Sequence, residues 1–184
     1  MIEYRKATFK DVNNIAKLLA ILYEYHSVDE LIEEVKSQAG GKSNEFFLAS
    51  DGDLFIGIAH CALRREYVEG ADGGTTGYFE AVYVLPEYRK KGIARRLAEL
   101  CEQWAKRKGC SNFASDCALD NETSYKFHLA IGFKEVSRNI HFIKNIQNDL
   151  NQNPLVDLTD DEKIDAAAKR VLERYRSAFK ELAK

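Results

Sequence analysis

"VYVLPEYRKKGIARRLAEL", residues 82–100, changes its periodicity halfway along. Its apolar opening, continuous with "YFEA" before it, reads as a strand that Pro86 ends, because proline has no N–H for a ladder. Beyond it, Ile93, Leu97, Leu100, Cys101 and Trp104 recur at three- and four-residue spacing, which predicts a helix from about Gly92 to Lys108. The junction, "RKKGIARR" at 89–96, holds five basic residues in eight. A helix start exposes unpaired N–H groups and the positive end of the dipole. Gly92 lets a ligand approach the backbone, and Ala94 is small enough to do the same. The amides of Lys91, Gly92, Ile93, Ala94 and Arg95, with the side chains of Arg89, Lys90 and Lys91, thus form a candidate pyrophosphate cradle. Taken alone, the same residues also describe a solvated basic face.

The rest of the chain bounds the choice. With 184 residues, 45% of them hydrophobic, it can bury one sizeable core. The formal net charge of −2, from 27 basic and 29 acidic residues, argues against a nucleic-acid partner. No apolar run reaches the roughly 18 residues of a membrane span, and the first residues do not read as a leader. Cys61, Cys101, Cys110 and Cys117 lack paired spacing and read as free thiols in apolar segments. That suits a cytoplasmic protein without a structural metal.

Strands are expected at "IEYRKAT", "NEFFLAS", "LFIGIAHCALRR", "YFEAVYVL", "CSNFASDCA" and "KEVSRNIHFIK". Helices are expected after the capping boxes Thr8–Asp11 and Ser27–Glu30, at 92–108, and from Asn121 to the region of Gly132. The mixture predicts an α/β (α+β) fold, a mixed central sheet flanked by helices, over residues 1–145. A polar linker is expected at 146–158. A terminal amphipathic helix is expected at 159–184, opened by a third box at Thr159 and Glu162.

The segment 82–100 resembles the acetyl-CoA-binding motif of the GNAT acetyltransferase superfamily. A second signature follows it: Asn121, then Phe127-His128, then Gly132-Phe133. "RREYVEG" (64–70), "GCSNFASDCALDNETSYKFHLAIGFKEVSR" (109–138) and "HFIK" (141–144) are similar to the chromosomal, dimeric kind of aminoglycoside 6′-N-acetyltransferase. The likeness covers residues 1 to about 145, and the extension lies outside it.

The resemblance implies a GNAT fold whose strand at "YFEAVYVL" splays from its neighbour. The pantetheine arm of acetyl-CoA then pairs with backbone of Val82, Tyr83 and Val84, and Asn121 hydrogen-bonds the cofactor. As residue types, Asn121 also suits a helix N-cap. Val84 N–H is the implied oxyanion donor, and His128 the implied thiolate acid. Histidine donates protons near neutral pH, although one on a helix face is also an ordinary structural residue. Glu80, a carboxylate inside an apolar strand, is the implied amine ligand or a base acting through water. Asp116, Tyr67 and Tyr23 are the implied substrate contacts. Glu69, Asp72, Asp120 and Glu122 add acidic residues near these motifs, which suits a cationic acceptor.

Two positions depart from the family pattern, both on substrate contacts. Tyr23 stands where a stacking tryptophan is usual, and Ser137 where an acidic residue is usual. The expected activity is acetyl-CoA-dependent N-acetylation by direct transfer, at the 6′-amine of aminoglycosides, by a homodimer involved in antibiotic resistance. Three alternatives stay open: acetylation of a polyamine or amino sugar, acetylation of a protein N-terminus or lysine, and a non-catalytic acetyl-CoA-sensing module with a partner-binding tail.

Overall fold

The computed structural model describes residues 1–23 and 25–145. Residues 1–138 form one compact unit, and the chain from Asn139 onward belongs to a second. The expected linker at 146–158 and terminal helix at 159–184 lie outside the described residues.

The first unit is a five-stranded sheet with helices on both faces. The strands run in sequence order: β1 Ile2–Lys6, β2 Asn44–Asp51, β3 Leu54–Arg64, β4 Thr76–Val84 and β5 Phe113–Ala114. The first four pair antiparallel and the last parallel. Helices α1 Val12–Leu22 and α2 Val28–Gln38 cover one face, over Phe46, Leu48, Ile58, Ala81 and Tyr83. Helix α3, Ile93–Arg107, covers the other, with Leu97, Cys101 and Trp104 against Phe47, Cys61 and Phe79. Helix α4, Glu122–Ala130, follows β5.

Local chemistry sets these boundaries. The Ser27–Glu30 box forms as expected: Glu30 N–H donates to Ser27 Oγ at 3.3 Å and Ser27 N–H to Glu30 Oε2 at 2.8 Å. The box at Thr8 opens a short 3₁₀ turn, Phe9–Asp11, ahead of α1. There Asp11 accepts from Thr8 N–H at 2.7 Å and also takes a bidentate pair from Arg5 at 2.7 and 2.8 Å. The Arg5 hydrogen bonds, above all, hold the Asp11 carboxyl well below the usual carboxylate range.

Two expected strands are corrected. The one at "CSNFASDCA" shrinks to Phe113–Ala114. It pairs with β4 only through Gly77↔Phe113 and Tyr78↔Ala114, so the edge of β4 from Phe79 on is left open. The one at "KEVSRNIHFIK" is not a strand, although its apolar alternation suggested one. Alternation makes a strand only where a neighbouring edge is long enough to supply hydrogen bonds, and β5 offers two residues. Among the described residues no strand pairs with the outer edge of β5. That edge borders a hollow of about 410 Å³ lined by Asn112–Ser115, Ile131–Lys134 and Val136.

One irregularity matters for the site. Across β3 and β4, His60 faces Ala81 and Cys61 faces Phe79, so Glu80 is an extra residue on β4. This β-bulge breaks the alternation: Phe79 joins the α3 side of the core while Ala81 joins the α1–α2 side.

Candidate active site

Of the acidic residues that the sequence singled out, Glu80 lies on the α1–α2 face of the sheet and Asp116 just past β5, whereas Glu69 and Asp72 lie between β3 and β4 and Asp120 and Glu122 at the start of α4. Tyr78, Glu80 and Arg64 share the α1–α2 face, because Tyr78 pairs with Ala62, two residues from Arg64, and the bulge keeps Glu80 there. Arg64 Nε donates to Glu80 Oε1 at 3.1 Å and Nη2 to Oε2 at 2.8 Å. The guanidinium carbon lies 3.3 Å from the centroid of the Tyr78 ring. The Tyr78 hydroxyl donates to Asp116 Oδ1, just past β5. Burial, with Asp116 second, pushes the Tyr78 phenol far above its ordinary value. A phenol so fixed as a donor keeps Asp116 an acceptor.

Tyr23 sits at the C-cap of α1. Its phenol is pushed up by burial first, then by the charges of Glu80, Glu34 and Asp116. The structure therefore brings Tyr23, Glu80 and Asp116 into one electrostatic neighbourhood and adds Glu34 of α2. Tyr67 is 83% exposed on the β3–β4 loop and donates to Glu69 at 3.0 Å. Among the described residues no hydrogen bond ties it to Glu80 or Asp116. Glu122 pairs with Lys126, and the neighbour of Ser137, Glu135, is held by Arg138 and Tyr125. Arg138 above all pulls the Glu135 carboxyl down to about 2.

On the open edge of β4, Leu85 N–H donates to Ile56 O on the β3 side. Strand alternation then turns the backbone of Val84 and Val82 outward, to the edge that β5 has left, and that of Tyr83 toward β3. Of the three residues expected to pair with the cofactor, Val82 and Val84 therefore turn their backbone groups to the open edge and Tyr83 turns its own to β3. Arg89 Nε donates to Val84 O at 2.9 Å, so this guanidinium bends back over the strand end.

At the start of α3, Gly92 is the N-cap, with φ 80° and no side-chain cap. Lys90 is also left-handed, at φ 60°, and is the one non-glycine among the described residues to be so. A strained turn leading to an uncapped helix end leaves the first amides facing outward, a cradle suited to an anion. Lys91 lies 5.0 Å from the Tyr88 ring, whereas Arg95 donates to Ala130 O at 2.8 Å and joins α3 to the end of α4. Among the described residues, Lys90 and Lys91 are thus the cations of this turn whose side chains bond no protein oxygen.

Asn121 is the N-cap of α4, its Oδ1 accepting from Ser124 N–H at 3.0 Å. His128 is held at both nitrogens. Nδ1 is 2.7 Å from Ser124 O, an acceptor, so Nδ1 carries a proton. Nε2 is 2.9 Å from Ser115 Oγ, which in turn lies 2.8 Å from Phe79 O. The rings of Phe79, Phe127 and Phe133 meet it edge-on. This links His128 through Ser115 to the first residue of the open β4 edge. Cys61 and Cys101 are buried, and burial pushes the Cys101 thiol up.

The chain that forms this opened strand and uncapped basic helix start has counterparts among known proteins. Residues 13–133 match the model of the acetyltransferase (GNAT) family. The chain belongs to that family, and it is an acetyltransferase. It is 38% identical to the aminoglycoside N(6′)-acetyltransferase type 1 of Acinetobacter genomosp. 13 over 129 residues, 70% of this chain and 88% of the relative. A structure of AAC(6′)-Iy in complex with the bisubstrate analogue CoA-S-monomethyl-acetylneamine superposes with a TM-score of 0.75 at 28% identity, covering 79% of this chain and 99% of that one. AAC(6′)-Ih from Acinetobacter baumannii superposes with a TM-score of 0.74 at 33% identity, again covering 79% and 99%.

Three participants escaped the sequence reading: Arg64, Tyr78 and Ser115. Arg64 and Tyr78 sit three and two residues from the singled-out Tyr67 and Glu80, but their partners lie 16 and 38 residues away. Only the β3–β4 register could have revealed the first pairing.

Proposed function

We propose that this protein transfers the acetyl group of acetyl-CoA directly to the 6′-amine of aminoglycosides. The observation that carries the reading is the pair of carboxylates, Glu80 and Asp116, held by Arg64 and Tyr78 beside the opened β4–β5 edge. Two fixed anions and a tyrosine edge suit a rigid polycationic sugar better than a flexible peptide. The named relatives act on this substrate class, which supports the same reading.

Acetyl-CoA supplies a thioester acyl group when bound. Its phosphates suit the amides of Gly92 through Arg95 with Lys90 and Lys91. Its amide-bearing arm suits the outward backbone of Val82 and Val84, and Asn121 caps the neighbouring helix. Glu80 and Asp116 bind and orient the acceptor ammonium groups, and Tyr23 stacks on a sugar ring. An amine must shed a proton before attack, and a carboxylate–water contact at Glu80 is the nearest route. Val84 N–H donates to the developing oxyanion. His128, acting through Ser115, is the proton source for the leaving group. Cys61 and Cys101 are buried, and among the described residues no hydrogen bond joins His128 to Cys110, Cys117 or another cysteine, which favours direct transfer. Tyr67 is a contact at the rim. A homodimer, a cytoplasmic location and a role in antibiotic resistance belong to the same proposal. So does an appended role for residues 146–184.

Thiol release from acetyl-CoA tests the reading, with kanamycin or tobramycin compared against a 6′-hydroxyl aminoglycoside, spermidine and a lysine peptide. Turnover confined to the 6′-amino compounds is expected. Turnover with spermidine or the peptide instead moves the acceptor, and acetyl-CoA binding without turnover favours a sensing module.

A further inference from the structure

We propose that Arg64 is a positioning residue for the acceptor site, the one group that ties its two carboxylates into a single fixed unit. The inference rests on the proposed acceptor reading. Its geometry stands on three contacts. The guanidinium fork takes one hydrogen bond on each oxygen of Glu80, at 3.1 and 2.8 Å. The back of the same group lies against the Tyr78 ring at 3.3 Å. The hydroxyl of that ring reaches Asp116. A flat cation clamped between a carboxylate and an aromatic ring has little freedom to turn. Glu80 is thereby aimed, with one lone pair on each oxygen still free for an incoming ammonium group. The bulge sets the face on which Glu80 lies, and the Arg64 fork sets where its carboxylate points.

A positive side chain in a site for cations is otherwise a poor choice. If charge were its only effect, removing it would add net negative charge and draw a cationic acceptor in more tightly. The positioning role makes the opposite prediction, so the sign of the effect decides.

The test is steady-state kinetics of Arg64→Gln and Arg64→Lys with tobramycin and acetyl-CoA, each varied in turn. In Arg64→Gln, kcat/KM for tobramycin is expected to fall at least tenfold while KM for acetyl-CoA stays within twofold. Arg64→Lys keeps the charge but not the fork, and is expected to remain about fivefold or more impaired. It also serves if the glutamine variant does not fold. Three results overturn the proposal: an unchanged or raised kcat/KM in Arg64→Gln, full activity in Arg64→Lys, or a parallel rise in the acetyl-CoA KM. A wild-type protein that turns over no 6′-amino aminoglycoside overturns the acceptor reading itself, and the Arg64 role with it.

Discussion

The ring of His60 lies flat on that of Phe46, with 4.2 Å between centroids and 13° between planes. Its Nε2 donates to Asn44 Oδ1 at 3.0 Å. This places a neutral imidazole among apolar residues between the sheet and α1–α2, and burial lowers its pKa from 6.5 to about 4. Between those values the unfolded chain binds a proton that the folded chain refuses, so stability falls as pH drops from 6.5 toward 4. The full loss is about 3 kcal/mol at roughly 1.4 kcal/mol per pKa unit. Asp11, held down by Arg5, adds its own loss only at still lower pH. Thermal melts from pH 7 to 4.5 are expected to show this slope in the wild type and a flatter one in His60→Gln. Parallel slopes would remove His60 as the cause.

Tyr78→Phe keeps the ring under Arg64 and removes the hydroxyl bound to Asp116. Loss of a hydrogen bond to a charged group costs about 1.5–3 kcal/mol where the partner is left without a substitute. With solvent able to replace part of it, kcat/KM for the acceptor is expected to fall about tenfold. The acetyl-CoA KM is expected to be unchanged, as initial rates would show.

Gly92→Ala tests the cradle. A Cβ there meets nothing within 4 Å, so the penalty is purely that of a left-handed alanine at φ 80°, about 1–2 kcal/mol. If the helix relaxes to relieve it, the amides shift. KM for acetyl-CoA is expected to rise several-fold while KM for tobramycin holds. A rise in the tobramycin KM alone would count against the cradle.

Gly77→Ala tests the sheet–helix contact instead. Its Cβ would come 2.5 Å from Ala105 Cβ and 3.0 Å from the Phe113 ring. Overpacking of this kind costs about 1–3 kcal/mol. Neither neighbour is a flexible chain end, and Phe113 carries half of the β4–β5 pairing. A lower Tm, with β5 parting further from β4, is expected by calorimetry.

Much of this was legible in residues 82–100, because strand and helix periodicities meet there and Pro86 and Gly92 mark the junction. The Ser27 box and the Asn121 cap were readable for the same reason: both are contacts across three residues. Glu80 and Asp116 could be named, but not what holds them, since Arg64 and Tyr78 become partners only through sheet register. The length of β5 and the fate of residues 134–144 were not readable either. Apolar alternation reports that a segment could pair, and says nothing of whether an edge is offered to it. Of Val82, Tyr83 and Val84, the sequence could not tell which turn outward, because that parity is set by one hydrogen bond, Leu85 to Ile56.

The extra residue at Glu80 has an evolutionary reading. It shifts the strand's parity, so the part before it and the part after it are in different frames. Moving the acidic residue one place along β4 by substitution would bury it under α3 or set it among the residues packed on α1 and α2. Removing the extra residue would exchange the core and site faces of half the strand. The site can therefore change its acceptor by exchanging residues on α1, α2 and the loops around it, while the position of Glu80 stays fixed by the shape of the backbone beneath it.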